Sequence, residues 1–354
     1  MNRPDFMIRQ LEYYIKVKCP HPIYIGDASN EENKRKFQTA LEKLSEHLTI
    51  HYYAQLESIT IPESRLNLYT SVIEKYCVFS GDDDYQIPNS ITRCAEFLEN
   101  NPEYSSASGY SVAFRLTNNG VYGELKRLSD YPRGQIESLT AAQRLIEMMT
   151  KFSITEFSVQ KTKDMIKCLT ITGMKDRALS TDVLPSAMSS VLGKSKILDC
   201  LSLIRQLDNP KESPIDSFDW FTGKNFNSSY EIWRETLAKE ISTIDNISMD
   251  EALKSAKKAL WSYFNVNLPT EYSKLNPART DGRKKSNRSL LSKLRLRVGK
   301  SLPWLKNIYL RMSHSLPNAP KEIFYEVTQP SSPYYKDFKP VLDSFTGEDR
   351  RIRN

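Results

Sequence analysis

Cysteine is scarce in this sequence, and none of it is arranged as a metal site. Five cysteines are spread over 354 residues, without the Cys-x-x-Cys spacing that zinc sites and redox motifs use. We therefore predict buried, reduced thiols rather than disulfides, which favours a cytoplasmic protein. The five residues are Cys19, Cys77, Cys94, Cys168 and Cys200.

Long hydrophobic runs are also missing. No run of about 18 or more apolar residues, the length of a membrane-spanning helix, occurs in the chain. The first residues, Met-Asn-Arg-Pro-Asp, lack the apolar stretch of an export signal. We therefore expect neither a membrane span nor export, while 39% hydrophobic residues are enough for a folded core.

The motifs of several common enzyme classes are absent. The four histidines are dispersed and no Gly-x-Ser-x-Gly stretch is present, so a hydrolase with a Ser-His-Asp triad is not expected. Gly193-Lys194-Ser195 is similar to the end of a phosphate-binding P-loop. The first glycine of that motif is missing at the required spacing, so we exclude a P-loop.

Positive charge is concentrated near the C-terminus. Residues 273–312 contain twelve Lys or Arg and one Asp, a net charge of +11, so the rest of the chain carries −4 of the total of +7. Within this segment, residues 283–306 interleave cations with leucine, valine and tryptophan, as in an amphipathic helix with a basic face. We predict contact with an anionic membrane surface; the alternative is a solvated face, and nucleic acid is not favoured.

The first 80 residues alternate between helical and strand patterns. Apolar residues recur at helical spacing in three segments, and three short apolar runs separate them. Alternation of this kind predicts an α/β fold, with a mostly parallel sheet and helices on both faces. The helices are expected at residues 4–18, 31–47 and 63–75, and the strands at 22–26, 48–53 and 76–80.

The remainder of the chain becomes increasingly helical. Helices are predicted at 88–99, 138–150 and 181–192, and one or two strands at 104–116. Beyond residue 216 helices dominate, and the last forty residues are expected to be irregular. We therefore divide the chain into a nucleotide-binding and catalytic domain at 1–210, a helical acceptor-side region at 211–270, and a basic segment with an irregular tail at 271–354.

Three consecutive aspartates form the most unusual motif. Asp82, Asp83 and Asp84 follow an apolar run and Gly81 in the stretch Phe-Ser-Gly-Asp-Asp-Asp-Tyr-Gln-Ile-Pro. Adjacent carboxylates repel unless water or a cation neutralises them. A position just beyond a strand of an open α/β sheet favours ligand binding, so we predict a Mg²⁺ or Mn²⁺ site, with a solvated acidic turn as the alternative.

This stretch resembles the acidic strand-end motif of GT-A glycosyltransferases similar to family 2. Four other pieces fall in the family's order over roughly residues 1–205: the turn motif Asn2-Arg3-Pro4, and three longer stretches. These stretches are Ile-Tyr-Ile-Gly-Asp-Ala-Ser (23–29), Phe-Leu-Glu-Asn-Asn-Pro-Glu-Tyr with the strand that follows it (97–110), and Ser-Thr-Asp-Val-Leu-Pro-Ser-Ala-Met-Ser-Ser-Val-Leu-Gly-Lys (180–194).

The resemblance implies roles for individual residues of the donor site. Asn2 and Arg3 would contribute to the nucleotide site, and Asp27 would contact the base. Asp82 and Asp84 would bracket the donor diphosphate and its Mn²⁺ or Mg²⁺, with Asp83 between them, although which of the three touches the ion stays open. The alternative for Asp27 is an N-cap of the following helix.

For the chemistry, the resemblance implies Asp182 as the general base of an inverting transfer, the alternative being a helix N-cap. The implied function is metal-dependent transfer of a sugar from a nucleotide-diphosphate donor to a glycan, lipid-linked or protein acceptor, in the cytoplasm or on the inner face of the membrane. The family's first strand precedes the turn motif at which this chain begins. Either that strand lies upstream of this sequence or this is a shortened version of the fold, and the rival interpretation is a degenerate, non-catalytic domain that acts as a scaffold at the membrane.

Overall fold

The computed structural model describes residues 2–118, 120–207, 217–275 and 322–346. Strands and helices are interspersed up to residue 206, and the described residues beyond it form helices and no strand, which confirms the predicted α/β class with a mainly helical C-terminal region. The strands are β1 (Ile23–Asp27), β2 (Ile50–Ala54), β3 (Tyr76–Cys77), β4 (Tyr85–Gln86), β5 (Tyr104–Leu116), β6 (Leu125–Asp130), β7 (Val159–Lys161) and β8 (Lys194–Gln206). The helices are α1 (Pro4–Lys16), α2 (Glu31–Leu44), α3 (Ile61–Tyr69), α4 (Pro88–Asn100), α5 (Ala141–Thr150), α6 (Thr162–Leu169), α7 (Leu184–Leu192), α8 (Ser217–Thr222), α9 (Phe226–Asp245), α10 (Met249–Leu275), α11 (Ile323–Glu326) and α12 (Tyr335–Thr346), with a π-helical turn at Leu179–Val183.

Local sequence signals set the starts of the first three helices. Pro4 occupies the first turn of α1, where its missing N–H costs nothing. The Asn30 side chain caps α2 by accepting a hydrogen bond from Asn33 N at 3.0 Å. Thr60 and Glu63 form a reciprocal capping box at the start of α3. These signals fix the residue at which each of the three helices begins.

The described strands form two sheets, and the larger one is mixed. β1 and β2 pair in parallel, while the second sheet has the order β3-β7-β5-β8-β4, with β6 also paired to β5. In the second sheet only β5 and β8 are parallel; the other four pairings are antiparallel. The expected mostly parallel pairing is corrected here because short connections, such as residues 117–124 between β5 and β6, permit only antiparallel neighbours.

The small sheet lies beside the large one without hydrogen-bonding to it in the described part of the chain. Two backbone hydrogen bonds continue the pairing of β1 with β2 at the strand ends. Ile23 N donates to Thr49 O at 2.9 Å, and Gln55 N donates to Asp27 O at 2.8 Å. The opposite edge of β1 faces the segment that follows β3, and a cleft lies between them. The strand predicted at residues 76–80 is shorter than expected, since only Tyr76–Cys77 pairs as β3.

Two large apolar cores hold these layers together. One core joins α1 and α12 to the strands, and it includes Leu11, Phe114 and Phe345. The other joins α5 and α7 to α9 and α10 around the fully buried Trp233. The helices of the predicted region 211–270 therefore share a core with helices of the predicted domain 1–210.

The tail contains a packed helix, so the prediction of an irregular C-terminus is wrong for this part of it. Phe338, Val341 and Phe345 lie on one face of α12 and are almost completely buried. The Phe345 ring stacks on Phe114 of β5 with centroids 4.4 Å apart. The helical spacing of these apolar residues favours a helix more strongly than Pro340, which lies inside it, disfavours one.

The described helices include none that is long and apolar enough to cross a membrane. Residues 283–306, for which a basic amphipathic helix is predicted, lie outside the described ranges. Their contact with a membrane surface therefore stays a prediction.

Candidate functional site

A cleft of about 360 Å³ separates the edge of β1 from the turn that carries the acidic triplet. Its lining includes Arg3, Asp27, Arg65, Phe79 and Asp82, contributed by the start of α1, the end of β1, α3 and the segment after β3. Three of these residues, Arg3, Asp27 and Asp82, are ones that the sequence motifs assigned to nucleotide binding. The fold thus brings together side chains that lie up to 79 positions apart in the chain.

Asp27 ends β1 and shapes the loop on one side of the cleft. Its Oδ1 accepts a hydrogen bond from Ser29 N at 2.9 Å, and its Oδ2 accepts one from the Tyr52 hydroxyl at 3.0 Å. Burial, together with the Asp27 carboxylate, raises the pKa of Tyr52. Because Asn30 caps the following helix, the N-cap alternative for Asp27 does not hold.

Asn2 joins the start of α1 to the same loop. Its backbone N donates to Ser29 Oγ at 2.7 Å, and its side-chain Oδ1 accepts from Asn30 N at 2.9 Å. Asn2 has a positive φ of 55°, a conformation that asparagine tolerates better than most residues. The observed role of Asn2 is therefore to fix the loop beside Asp27, and a direct contact with nucleotide stays a prediction.

Arginines neutralise the acidic triplet in the described structure. Arg3 contacts Asp82 Oδ1 through Nη1 and Asp83 Oδ2 through Nη2, each at 3.1 Å. Arg205, at the end of β8, places Nε 3.1 Å from Asp84 Oδ2. The positive charge expected beside the triplet is thus supplied here by two side chains that lie far away in sequence.

The triplet turn is tight, and α1 supports it. A Cβ atom on Gly81 would lie 3.0 Å from Asp83 Oδ1 and 3.1 Å from Asp84 Oδ2, so glycine leaves room for the carboxylates to fold back over the turn. Gln10 of α1 donates from Nε2 to Gly81 O at 2.7 Å and to Ser80 Oγ at 3.0 Å, and it also contacts Asp84 O. The motif comparison did not single out Gln10, because its role depends on how α1 packs under the turn.

The three carboxylates differ in their access to a ligand. The Asp82 side chain is 22% exposed at the cleft, whereas that of Asp84 is 1% exposed and paired with Arg205. Burial raises the pKa of Asp82; Arg3 opposes this effect and Asp83 adds to it. Asp82 is therefore the member of the triplet best placed to meet a ligand, and a metal-binding role for Asp84 stays a prediction.

A divalent ion fits this cleft only if the ligand supplies part of its coordination. No group of three or more His, Cys, Asp or Glu side chains in the described ranges could hold a metal ion. Magnesium commonly takes one or two carboxylates and completes its shell with substrate phosphates and water. Asp82 suits that arrangement, because it presents one carboxylate beside open space in the cleft.

Asp182 lies in the π-helical turn before α7 and does not cap a helix. Asp182 lies inside the turn, and the residue at the N-cap position of α7 is Val183, so the N-cap alternative for Asp182 does not hold. The carboxylate that accepts a backbone N–H here is that of Asp176, from Leu179 N at 2.8 Å. Over the residues that the structure describes, the Asp182 carboxylate has no hydrogen bond or ion pair. π-helical turns occur frequently at functional sites. An unengaged carboxylate on such a turn is chemically suited to accept a proton.

A buried ion pair connects the cleft to the Asp182 turn. Arg65 Nη1 lies 2.6 Å from Glu156 Oε1 and donates to Thr181 O at 3.0 Å. The Arg65 guanidinium also covers the Phe79 ring at 4.7 Å. Burial raises the pKa of Glu156 to about 7, since the Arg65 charge only partly offsets it and Asp182 adds to the rise. Neither residue lies in a recognisable motif, so sequence patterns gave no indication of this pair.

No protein-family model matches the chain, and no curated protein matches it.

The chain is similar in structure to crystal structures of S. aureus TarS. One, of residues 1–349, is 15% identical with a TM-score of 0.44, and the match covers 77% of this chain and 74% of that one. A second TarS structure is 12% identical with a TM-score of 0.45; it covers 78% of this chain, which spans only 44% of the TarS chain. A third, residues 1–349 in complex with UDP, is 14% identical with a TM-score of 0.41 over 97% and 88% of the two chains. At this level the likeness carries no argument about family or activity, so function has to be inferred from the cleft itself.

Proposed function

We propose that the chain is a glycosyltransferase that binds a nucleotide-diphosphate sugar in the cleft. The observation that carries the proposal is that Arg3, Asp27 and Asp82, chosen from separate motifs, line one cavity. A volume of about 360 Å³ lies within the usual range of ligand pockets. The cleft also combines carboxylates with two arginines, a mixture suited to a ligand with both hydrogen-bond donors and a diphosphate.

Each lining residue has a chemical role in this proposal. The Asp27 carboxylate would accept a hydrogen bond from the nucleotide base, while Tyr52 holds it in place. The Arg3 guanidinium, 31% exposed, would turn from the triplet to the diphosphate, since its planar donors match phosphate oxygens. Asp82 would hold Mg²⁺ or Mn²⁺, which stabilises the negative charge of the departing diphosphate when bound.

Asp182 would serve as the general base. The acceptor hydroxyl oxygen forms a bond to the anomeric carbon, and the bond from that carbon to the diphosphate breaks with its electron pair on the diphosphate. The hydroxyl proton passes to Asp182. A positioned base of this kind typically contributes about 10²- to 10⁴-fold. A single displacement inverts the anomeric configuration, which we propose for this chain.

The acceptor and its location belong to the same proposal. The acceptor would be a glycan, a lipid-linked sugar or a protein hydroxyl. The helices α8–α10 would form its side of the site, and residues 283–306 would hold the protein at the inner face of a membrane.

The test is calorimetric titration of UDP- and GDP-sugars into the full chain, with and without Mn²⁺. We expect binding that Mn²⁺ strengthens and that Asp82→Asn weakens at least tenfold. The matched control is Asp250→Asn, which removes an equivalent charge from a surface pair with Lys254 on α10 and should bind like wild type. Absence of binding by a folded wild-type protein would refute the donor site.

A further inference from the structure

The Arg65–Glu156 ion pair is unusual because both side chains are largely withdrawn from water. The side chain of Glu156 is 2% exposed and that of Arg65 is 16% exposed. Buried ion pairs often stabilise a protein no better than apolar residues of similar volume would. A role in stability alone therefore gives a weak reason for this pair.

The geometry of the pair links two parts of the site. Arg65 lines the same cleft as Asp82. The same Nη1 atom that meets Glu156 also donates to Thr181 O, the carbonyl directly before Asp182. The Glu156 backbone is anchored as well, since its carbonyl accepts from Phe79 N at 3.3 Å near the start of the triplet turn.

We propose that Glu156, acting through Arg65, is a positioning residue that holds the Asp182 turn against the cleft. This inference rests on the proposed function, in which Asp182 accepts the proton of the attacking hydroxyl. Ionised Glu156 fixes the Arg65 guanidinium, and the guanidinium fixes the Thr181 carbonyl. The backbone that carries Asp182 is thereby held at a constant distance from the donor site.

The arrangement makes the position of the turn sensitive to pH. The titratable and charged groups around Glu156 are Arg65 and Tyr69 of α3, Asp182 of the π-helical turn and Cys168 of α6. A carboxyl group with a pKa of about 7 is mostly ionised above that pH and mostly neutral below it. A neutral Glu156 holds Arg65 less firmly, so turnover should rise as the pH increases through about 7.

Two variants of Glu156 separate positioning from a purely structural role. Glu156→Gln keeps the size and a neutral acceptor for Arg65, and Glu156→Asp keeps the charge. We expect Glu156→Gln to lower kcat for donor hydrolysis by about 10²-fold, with donor affinity by calorimetry unchanged. It should also lose the rise in rate near pH 7, and Glu156→Asp should restore part of both. Glu137→Gln, at an ion pair with Lys196 on the surface, is the control.

A second measurement needs no turnover. The titration of Glu156 is followed by NMR in protein carrying ¹³C-labelled glutamate side chains, with Glu156→Gln to assign the signal. Asp182→Asn removes a neighbouring charge and should lower the pKa of Glu156 from about 7. Lys254→Met, at a distant surface pair, should leave the titration unchanged.

The outcomes separate this inference from the proposed function. An active wild type whose rate, affinity and pH profile are all unchanged by Glu156→Gln would overturn the inference and leave the function standing. A Glu156 pKa that Asp182→Asn leaves unchanged would also overturn the inference. A loss of kcat that only follows a loss of folded protein would indicate a structural role and also overturn it. Absence of donor binding, with the Glu156–Asp182 coupling intact, would refute the function and with it the catalytic purpose of the pair.

Discussion

Arg205→Met should destabilise the fold strongly, because it removes the guanidinium that pairs with the buried Asp84 carboxylate. Arg205 Nε contacts both Asp84 oxygens, at 3.3 and 3.1 Å, and Nη1 donates to the Tyr131 hydroxyl at 2.8 Å. The Asp84 side chain is only 1% exposed, so water cannot replace the lost partner. Removing one member of a buried pair typically costs about 3–5 kcal/mol. We expect a loss of this order in the free energy of unfolding, measured by urea denaturation.

The double variant Arg205→Met/Asp84→Asn isolates the charge effect. It removes the buried negative charge that has lost its arginine, so it should be more stable than Arg205→Met alone. Lys254→Met, which breaks a fully exposed pair, should change little. If Arg205→Met is as stable as wild type, or if Asp84→Asn brings no recovery, the reasoning that makes Asp84 a structural partner of Arg205 is refuted.

Two further predictions concern stability. Phe345→Ala should lower the free energy of unfolding, measured in urea, by about 3–5 kcal/mol, because it leaves a cavity at a fully buried site against Phe114. Phe218→Ala, at a ring that is 59% exposed, should cost far less. Equal effects of the two substitutions would contradict the packing of α12. Burial raises the pKa of Glu156 from 4.5 to about 7. Between pH 4.5 and pH 7 the folded protein therefore binds a proton that the unfolded chain does not, so the free energy of unfolding should fall as the pH rises through 7. The expected loss in the free energy of unfolding is of the order of 3 kcal/mol. Urea denaturation at pH 5 and pH 8 should show this loss for wild type and not for Glu156→Gln. If both proteins show the same pH dependence, other groups cause it.

The parts of the fold that sequence patterns predicted are those governed by local rules. The start of α1 follows from Pro4, which acts within the first helical turn. Helix α2 begins at Glu31 as predicted, although its cap is Asn30 and not Asp27. Asp27 was proposed from the resemblance alone, whereas Asp82 was also indicated by the apolar run and the glycine that precede the acidic triplet. Positions that follow such apolar runs meet at one edge of an α/β fold whatever the details of strand pairing.

The parts that were missed depend on partners far away in the chain. Asp84 finds Arg205 across 121 positions, and Arg65 finds Glu156 across 91. No local pattern marks such pairs, because tertiary packing chooses them. The packing of α12 is a similar case: the helical spacing of its apolar residues is visible in the sequence, but tertiary packing alone forms the surface of α1 and β5 that covers them. The expected mostly parallel pairing gave way for a similar reason, since loop length limits which strands become neighbours.

The most direct test of the central claim is release of nucleoside diphosphate from a panel of UDP- and GDP-sugars by the full chain. The account predicts steady release by wild type and by Asp250→Asn. For Asp182→Asn it predicts at least about 10²-fold slower release, with donor affinity by calorimetry unchanged. Donor binding without any release by wild type would contradict a transferase and support the non-catalytic scaffold. Equal release by wild type and Asp182→Asn would contradict the assignment of Asp182 as the base.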